Sequence, residues 1–543
     1  MRPGGGIITR SSLPGLLVGV GLIVLAGSVF GVILGLQSEM TTGDTVGSGI
    51  AHVLGFTLLQ AGLSTVLAMS VGVALAWALS HQRRFPGRGL LVALLATSMV
   101  LPTIVVVLGL VTVFGRNGWF NHLADLGNLS IGGALYGLGG IIIAHVFMDG
   151  PFVARGLLQR LEAIPAEHLK LGRSLNLSTW QRFRLIEWPA MATTLPGFSA
   201  IVFLLCFTSF PIVLILGGSP KFNTLEVAIY EAIKLEFDLG RAMQLALVQL
   251  VVCGGLVMLA AGYRPQDASI STSAARPHWR EPRRMIIIQA TIIGLFLAFF
   301  LSPLISVLID GLVADLTGLF ADATFQRALG TSLIVALLSS AVTLTCALAI
   351  ALAKRDLASP LRMAQDRRTR LVSWLLSFSG MLYMAMPALV LGLGFFLIAR
   401  ASGVDTTRAA PLVVVIANVL IALPFALAIL VPAAEKAALR FDRQALSLRL
   451  TGLARWRIVE WPLMRAELGF AAALSYCFSF GDLGVIALFG SRDFATLPWL
   501  LYQKMGSYRT TEAAGIALIL FVVVLVVFVV VPRLFQGRRY AET

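Results

Sequence analysis

Four polar side chains stand in stretches otherwise made of apolar residues: Asp149, Asp482, His145 and Asn418. Ionisable groups at membrane depth are rare and tend to face one another, a cavity or a transport path. A carboxylate there offers negative charge to a passing cation. A His or Asn offers a hydrogen bond to a neighbouring helix or to a cargo. Asp149 is placed late in the fourth predicted span, near its cytoplasmic end, as a path residue or an interfacial charge. Asp482 falls in the eleventh, flanked by Gly481 and Gly484, as a path residue or the partner of a helix break. Nothing else assembles a reactive set. The phosphate-binding Gly-x-x-x-x-Gly-Lys-Ser/Thr loop is missing, so this chain is not itself an ATPase. His-Glu-x-x-His, Cys-x-x-Cys and Gly-x-Ser-x-Gly are missing too, and the six His are scattered. Cys206, Cys253, Cys346 and Cys477 lie far apart inside apolar runs and read as small core residues. No metal and no cofactor is implied, and an intramembrane enzyme lacks the residues to carry it.

The elements that must hold these groups are membrane helices. Of 543 residues, 57% are hydrophobic and 13% charged, against about a quarter charged in a soluble chain. Lipid is the solvent that accepts such a surface. A span needs about 20 apolar residues. That criterion places helices near 13–36, 50–80, 89–115, 133–155, 193–217 and 241–263, then near 285–310, 329–353, 371–399, 410–432, 466–490 and 511–532. The fold class is all-α, a polytopic membrane protein of about 12 spans. The stretch 13–36 is too long for a signal-peptide core and reads as a retained span. Residues 264–284, with three Pro, several Ser and five Arg, read as a cytoplasmic linker.

With the N-terminus in the cytoplasm, 32 of the 42 Lys and Arg fall in cytoplasmic segments. Positive charge collects on that side of membrane proteins, so both termini are predicted to be cytoplasmic, in a bacterial inner membrane. The same bias accounts for the net charge of +15 without nucleic acid as a partner.

The chain repeats itself. Met99-Val-Leu-Pro102 leads to Gly109, and Met384-Ala-Met-Pro387 leads to Gly394. His145 and Asn418 occupy matching places, followed by Pro151-Phe152 and Pro424-Phe425. Glu187-Trp-Pro189 returns as Glu460-Trp-Pro462, 273 residues later. Each predicted half, 1–263 and 285–543, has an even number of spans, so the repeat is parallel, about an axis along the membrane normal. Pro102, Pro387, Pro151 and Pro424 are predicted kinks, either hinges for alternating access or bends that packing requires. The outer loops 217–240 and 490–510 share Gly-Ser, Thr-Leu and Tyr. They are candidates for a gate helix or for docking another protein, and Glu226, Glu231, Glu236 and Asp238 make the first one acidic.

The cytoplasmic loop 156–190 holds Pro165, which can open a helix, and Glu167 close to that helix's positive end. Gly172 follows, and Asn176 with Ser178 marks a turn before a second short helix. This helix–turn–helix presents Leu169 and Leu175 for docking on another protein. The loop resembles the EAA signature of binding-protein-dependent ABC importer permeases: Glu167, Gly172 and Pro189 match it, and His168 and Leu169 depart from its small residues. The second copy, in loop 433–465, puts Arg440 where Glu167 stands and Ala445 where Gly172 stands.

Within that group the chain is most similar to the fused thiamine transport permeases. The likeness rests on Cys206-Phe-Thr-Ser-Phe, Leu225-Glu-Val-Ala-Ile-Tyr230, Gly481-Asp482-Leu-Gly-Val-Ile-Ala-Leu-Phe-Gly490 and Phe494-Ala-Thr-Leu-Pro498. The resemblance implies import of thiamine and its phosphate esters. It also implies a periplasmic binding protein and two copies of a separate ATP-binding subunit. Ferric iron as cargo, or an ion-driven secondary transporter, are the alternatives.

Overall fold

The computed structural model describes residues 12–40, 47–121, 135–218, 221–261, 281–358 and 367–536. Among these, ten helices are long and apolar enough to cross a membrane, or up to twelve if two sharply bent pairs each count as one span. The fold is all-α and polytopic. Most of the linker 264–284 lies outside the described residues, which resume at Glu281.

The helices group into two compact units. One holds residues 45–228 with 255–313; the other holds 1–44, 229–254 and 314–543. Each unit thus combines most of one repeat half with the first span of the other, and the second unit also takes residues 229–254, which hold most of the helix Leu239–Ala261. In the first unit, Gly47–His81 packs along Leu138–Glu162, and Arg283–Val313 packs on Gly47–His81 and on Thr103–Phe114. Phe300 stacks on Phe147 with ring centroids 4.7 Å apart. In the second unit, Ala323–Ala358 packs on Thr406–Ser447 and on Trp461–Gly481. Leu13–Met40 lies on Ala323–Ala358, Arg367–Met381 and Ala388–Ala401. Its buried residues, Leu22, Ala26, Val29 and Ile33, recur at helical spacing, while Leu17, Val20, Val24 and Phe30 stay exposed. That is one packed stripe and one lipid-facing stripe.

Several predicted spans are broken. The third is two helices, Arg88–Thr97 and Thr103–Phe114, and Pro102 is the N-cap of the second. The ninth bends by 97° between Thr369–Ala385 and Ala388–Ala401, with Pro387 as N-cap. Proline has no N–H to give and pushes the preceding residue out of helical geometry, so a helix starts afresh there. Pro102 and Pro387 are therefore helix breaks, where kinks were expected. Pro151 and Pro424 lie inside continuous helices, Leu138–Glu162 and Thr406–Ser447.

After the fifth span of each half comes a short helix, Leu225–Lys234 or Leu497–Gly506. Each begins on a hydroxyl of the second span in its own half. The Leu225 N–H donates to Thr57 Oγ1 at 3.1 Å, and the Leu497 N–H donates to Ser332 Oγ at 2.7 Å. All four residues are buried. Ser332→Ala removes the acceptor and leaves an orphaned N–H, a loss of about 1–3 kcal/mol. The expected result is a purified protein with a lower melting temperature, read by thermal unfolding in detergent; an unchanged melting temperature would show that the bond carries no stability.

Candidate coupling and translocation sites

The signature loop folds as its residues require. Leu138–Glu162 ends at Ala163, and Pro165 is the N-cap of Ala166–Ser174. Glu167 sits in the first turn, exposed, where the helix dipole favours negative charge. Asn176 closes the helix with a left-handed φ of 48°, and the Leu177 N–H returns to the Gly172 carbonyl at 3.1 Å. Ser178 then starts Thr179–Arg182 in a reciprocal capping box with Gln181. The expected helix–turn–helix is present.

One element of that expectation is corrected. Leu169 is only 8% exposed and belongs to the core, whereas Leu175 is exposed. The reason is helical phase: Ala166, Leu169 and Gly172 recur at three-residue spacing and form the inward face. Gly172 and Pro165, with Arg160, His168, Leu175 and Leu185, line a cavity of about 620 Å³.

The second loop is built differently. Thr406–Ser447 runs 42 residues without a break, through the place where the first half has Ala163-Ile-Pro165. No proline interrupts it there, since Lys436, Ala437 and Ala438 stand at the matching positions. Arg440 is exposed on this helix and Ala445 buried. The ending is conserved in geometry. Arg449 has φ 50° and the Leu450 N–H bonds to the Ala445 carbonyl, 273 residues after their counterparts.

Beneath each loop lies an ion cluster that sequence reasoning missed. In the first unit, Arg182 Nε donates to Glu187 Oε1 at 2.9 Å and Nη2 donates to Glu281 Oε1 at 2.5 Å. Thr179 Oγ1 donates to Glu281 at 3.2 Å, and His81 Nε2 lies 3.2 Å from Glu187. In the second unit, Arg455 Nε donates to Glu460 Oε1 at 2.7 Å and Nη2 to Asp442 Oδ1 at 2.5 Å. Arg355 joins Glu460 and Asp356 there. The signal was available: Arg182 and Arg455 stand five residues ahead of the glutamate of Glu-Trp-Pro in both copies.

Of the membrane-depth candidates, His145 and Asp149 belong to the first unit and Asn418 and Asp482 to the second. Asp149 sits mid-helix in Leu138–Glu162, where a position near the span's end was expected, because that helix continues seven residues past 155. It is buried, and the Cys206 thiol donates to it at 3.3 Å. Asp482 lies at the break between Trp461–Gly481 and Gly484–Phe489, accepting from the N–H groups of Gly484 and Val485. It matches the helix-break reading. His145 bonds Ser64 at 3.1 Å and Asn418 donates to Ser479 at 2.8 Å, both between helices. Among the described residues, no group of three or more His, Cys, Asp or Glu is arranged to hold a metal ion.

A polytopic all-α chain that carries the signature helix–turn–helix fits the membrane subunit of an importer. Residues 68–263 match the family described as the binding-protein-dependent transport system inner membrane component. The chain belongs to this family of type I ABC importer permeases. Along nearly its whole length it is similar to the ThiP proteins. It is 38% identical over 531 residues to the thiamine transport system permease protein ThiP of Brucella abortus (strain 2308), covering 96% of each chain. It is 38% identical over 491 residues to ThiP of Escherichia coli (strain K12), covering 90% of this chain and 89% of that one. A more distant relative, the sulfate transport system permease protein CysW of Synechococcus elongatus, is 27% identical over 236 residues, 42% of this chain and 81% of that one. A permease of this family works with an ATP-binding subunit and a substrate-binding protein, in the inner membrane.

Proposed function

We propose that the chain carries thiamine from the periplasm to the cytoplasm, driven by ATP hydrolysis in two copies of a partner subunit. The observation that carries this reading is the full-length likeness to ThiP permeases, which includes both halves and both loops. A loaded binding protein docks on the outer side. Closure of the ATPase pair pushes on loops 156–190 and 433–465, and the two halves alternate access. The excess of Lys and Arg supports a cytoplasmic side for those loops and for both termini. Glu167, Pro165 and Gly172 present the first loop to the ATPase; Arg440 and Ala445 hold the matching places in the second. The breaks at Pro102 and Pro387 are the points where helices reorient, and Pro151 and Pro424 bend helices that otherwise move whole. Thiamine is a cation. Asp149 and Asp482 offer carboxylates at membrane depth to such a cargo, with His145 and Asn418 as further polar groups along the path.

The test is uptake of labelled thiamine in cells lacking their own thiamine transporter, with the chain expressed together with its ATPase and binding protein. Restored, ATP-dependent uptake is expected. Labelled ferric iron entering in place of thiamine would overturn the cargo, and uptake that persists without the ATPase would overturn the energy source.

A further inference from the structure

The two ion clusters share an arginine held by two carboxylates, and they differ in where the second carboxylate comes from. At the constant offset of 273 residues, Arg182 corresponds to Arg455, Glu187 to Glu460 and Leu169 to Asp442. Both arginines use Nε on the glutamate of Glu-Trp-Pro and Nη2 on a second carboxylate. In the second half that carboxylate is Asp442, on the same long helix as Arg440 and Ala445. In the first half the matching residue is Leu169, which has no charge to offer. The acid comes instead from Glu281, two residues before Arg283–Val313, the first span of the second half.

We infer that Glu281 is a positioning residue for energy coupling: it replaces the acid missing from the first signature helix and fastens the base of loop 156–190 to the first span of the second half. Arg182, Glu187 and Glu281 are all buried at the side chain, at 4%, 6% and 9% exposure. A buried guanidinium with two carboxylates holds a fixed geometry, because its fork admits few orientations and removing one partner leaves a charge uncompensated. Arg182 holds one oxygen of Glu281 and Thr179 the other, so the carboxylate is held at both oxygens. A push on loop 156–190 therefore reaches Arg283–Val313 directly. In the second half the same clamp closes within the loop and its own helices. The connection between the halves is thus a working part of the first loop, beyond its role as a tether.

The inference rests on reading loop 156–190 as the ATPase-coupling loop. It is tested in the complete complex, reconstituted with ATPase and binding protein, by thiamine taken up per ATP hydrolysed. Glu281→Gln keeps the shape and removes the charge. It is expected to lower that ratio roughly tenfold, as loss of one buried partner unseats the clamp, while yield and ATP hydrolysis persist. Adding Leu169→Asp to Glu281→Gln supplies the acid from the place that Asp442 occupies and is expected to restore the ratio. A wild-type ratio in Glu281→Gln, or a loss that Leu169→Asp does not restore, would overturn the assignment. A wild-type complex that imports no thiamine would count against the cargo alone. The contact is then judged without cargo, by the melting temperature of the purified protein: a fall in Glu281→Gln that Leu169→Asp reverses supports the clamp, and an unchanged melting temperature overturns it.

Discussion

Gly172→Trp is expected to abolish uptake while the chain still inserts, folds and binds its ATPase. Gly172 is on the buried face of Ala166–Ser174 and lines the 620 Å³ cavity between that helix and the returning segment around Leu185 and Pro189. Its carbonyl also accepts the Leu177 N–H that ends the helix. An indole at this position has to enter the cavity or lift the helix away from its support. In either case the helix leaves the orientation that its caps define. Ala445 at the matching place shows that one methyl group fits the same ending geometry. Gly172→Ala is thus expected to keep near-normal uptake, and the pair separates a steric cause from loss of glycine flexibility. The check is labelled-thiamine uptake beside ATP hydrolysis by the purified complex. Near-normal uptake in Gly172→Trp would remove this loop from the coupling path. A helix displaced by about 1 Å can cost two orders of magnitude in a step that depends on alignment, so the effect is expected to be large.

Why some of this was legible and some was not follows from what a sequence pattern encodes. The loop was readable because its determinants are local: Pro165 opens a helix, Asn176 tolerates left-handed geometry, and Ser178 with Gln181 makes a capping box. The spans were readable because each must be apolar over a fixed length. Their breaks were only half readable: proline announces trouble at 102 and 387, but whether a helix kinks or restarts depends on neighbours that supply its lost hydrogen bonds. The unbroken Thr406–Ser447 shows the reverse, since nothing in loop 433–465 requires a stop until Arg449. Leu169 was misplaced because an apolar residue in a short helix can face inward or outward until its phase against Ala166 and Gly172 is fixed. The ion clusters went unread because their partners come from distant segments: His81, Arg182 and Glu281 in one unit, Arg355, Asp442 and Arg455 in the other. Above all, a duplicated chain carries the same packing face in both halves. The apolar stripe on Leu13–Met40 says that something covers it, and the pattern cannot say which half does.

The repeated glycines Gly109 and Gly394 show what that ambiguity conceals, and they carry the second large effect. Both were visible as matching residues after Pro102 and Pro387. The structure gives them one reason: each lies where a first span crosses. A Cβ added at Gly109 would meet the carbonyl oxygen of Pro303 at 2.6 Å, on Arg283–Val313. The same addition at Gly394 would meet Val29 Cγ1 at 2.3 Å, on Leu13–Met40. Small residues let membrane helices approach this closely. The obstacles differ in kind, however. Rotation of Val29 can move its methyl groups but leaves its Cβ 3.1 Å away, whereas the Pro303 carbonyl is backbone and moves only with its helix. Ser306 Oγ, which lies 3.4 Å from the Gly109 carbonyl, would separate with it. Gly109→Val is thus expected to cost more than Gly394→Val, at or above the roughly 1–3 kcal/mol usual for overpacking. The measurement is the amount of folded, monodisperse protein in detergent and its melting temperature. Equal losses in the two variants would mean that the helices adjust as easily as side chains do. A greater loss at Gly394 would contradict the packing of Arg283–Val313 on Thr103–Phe114.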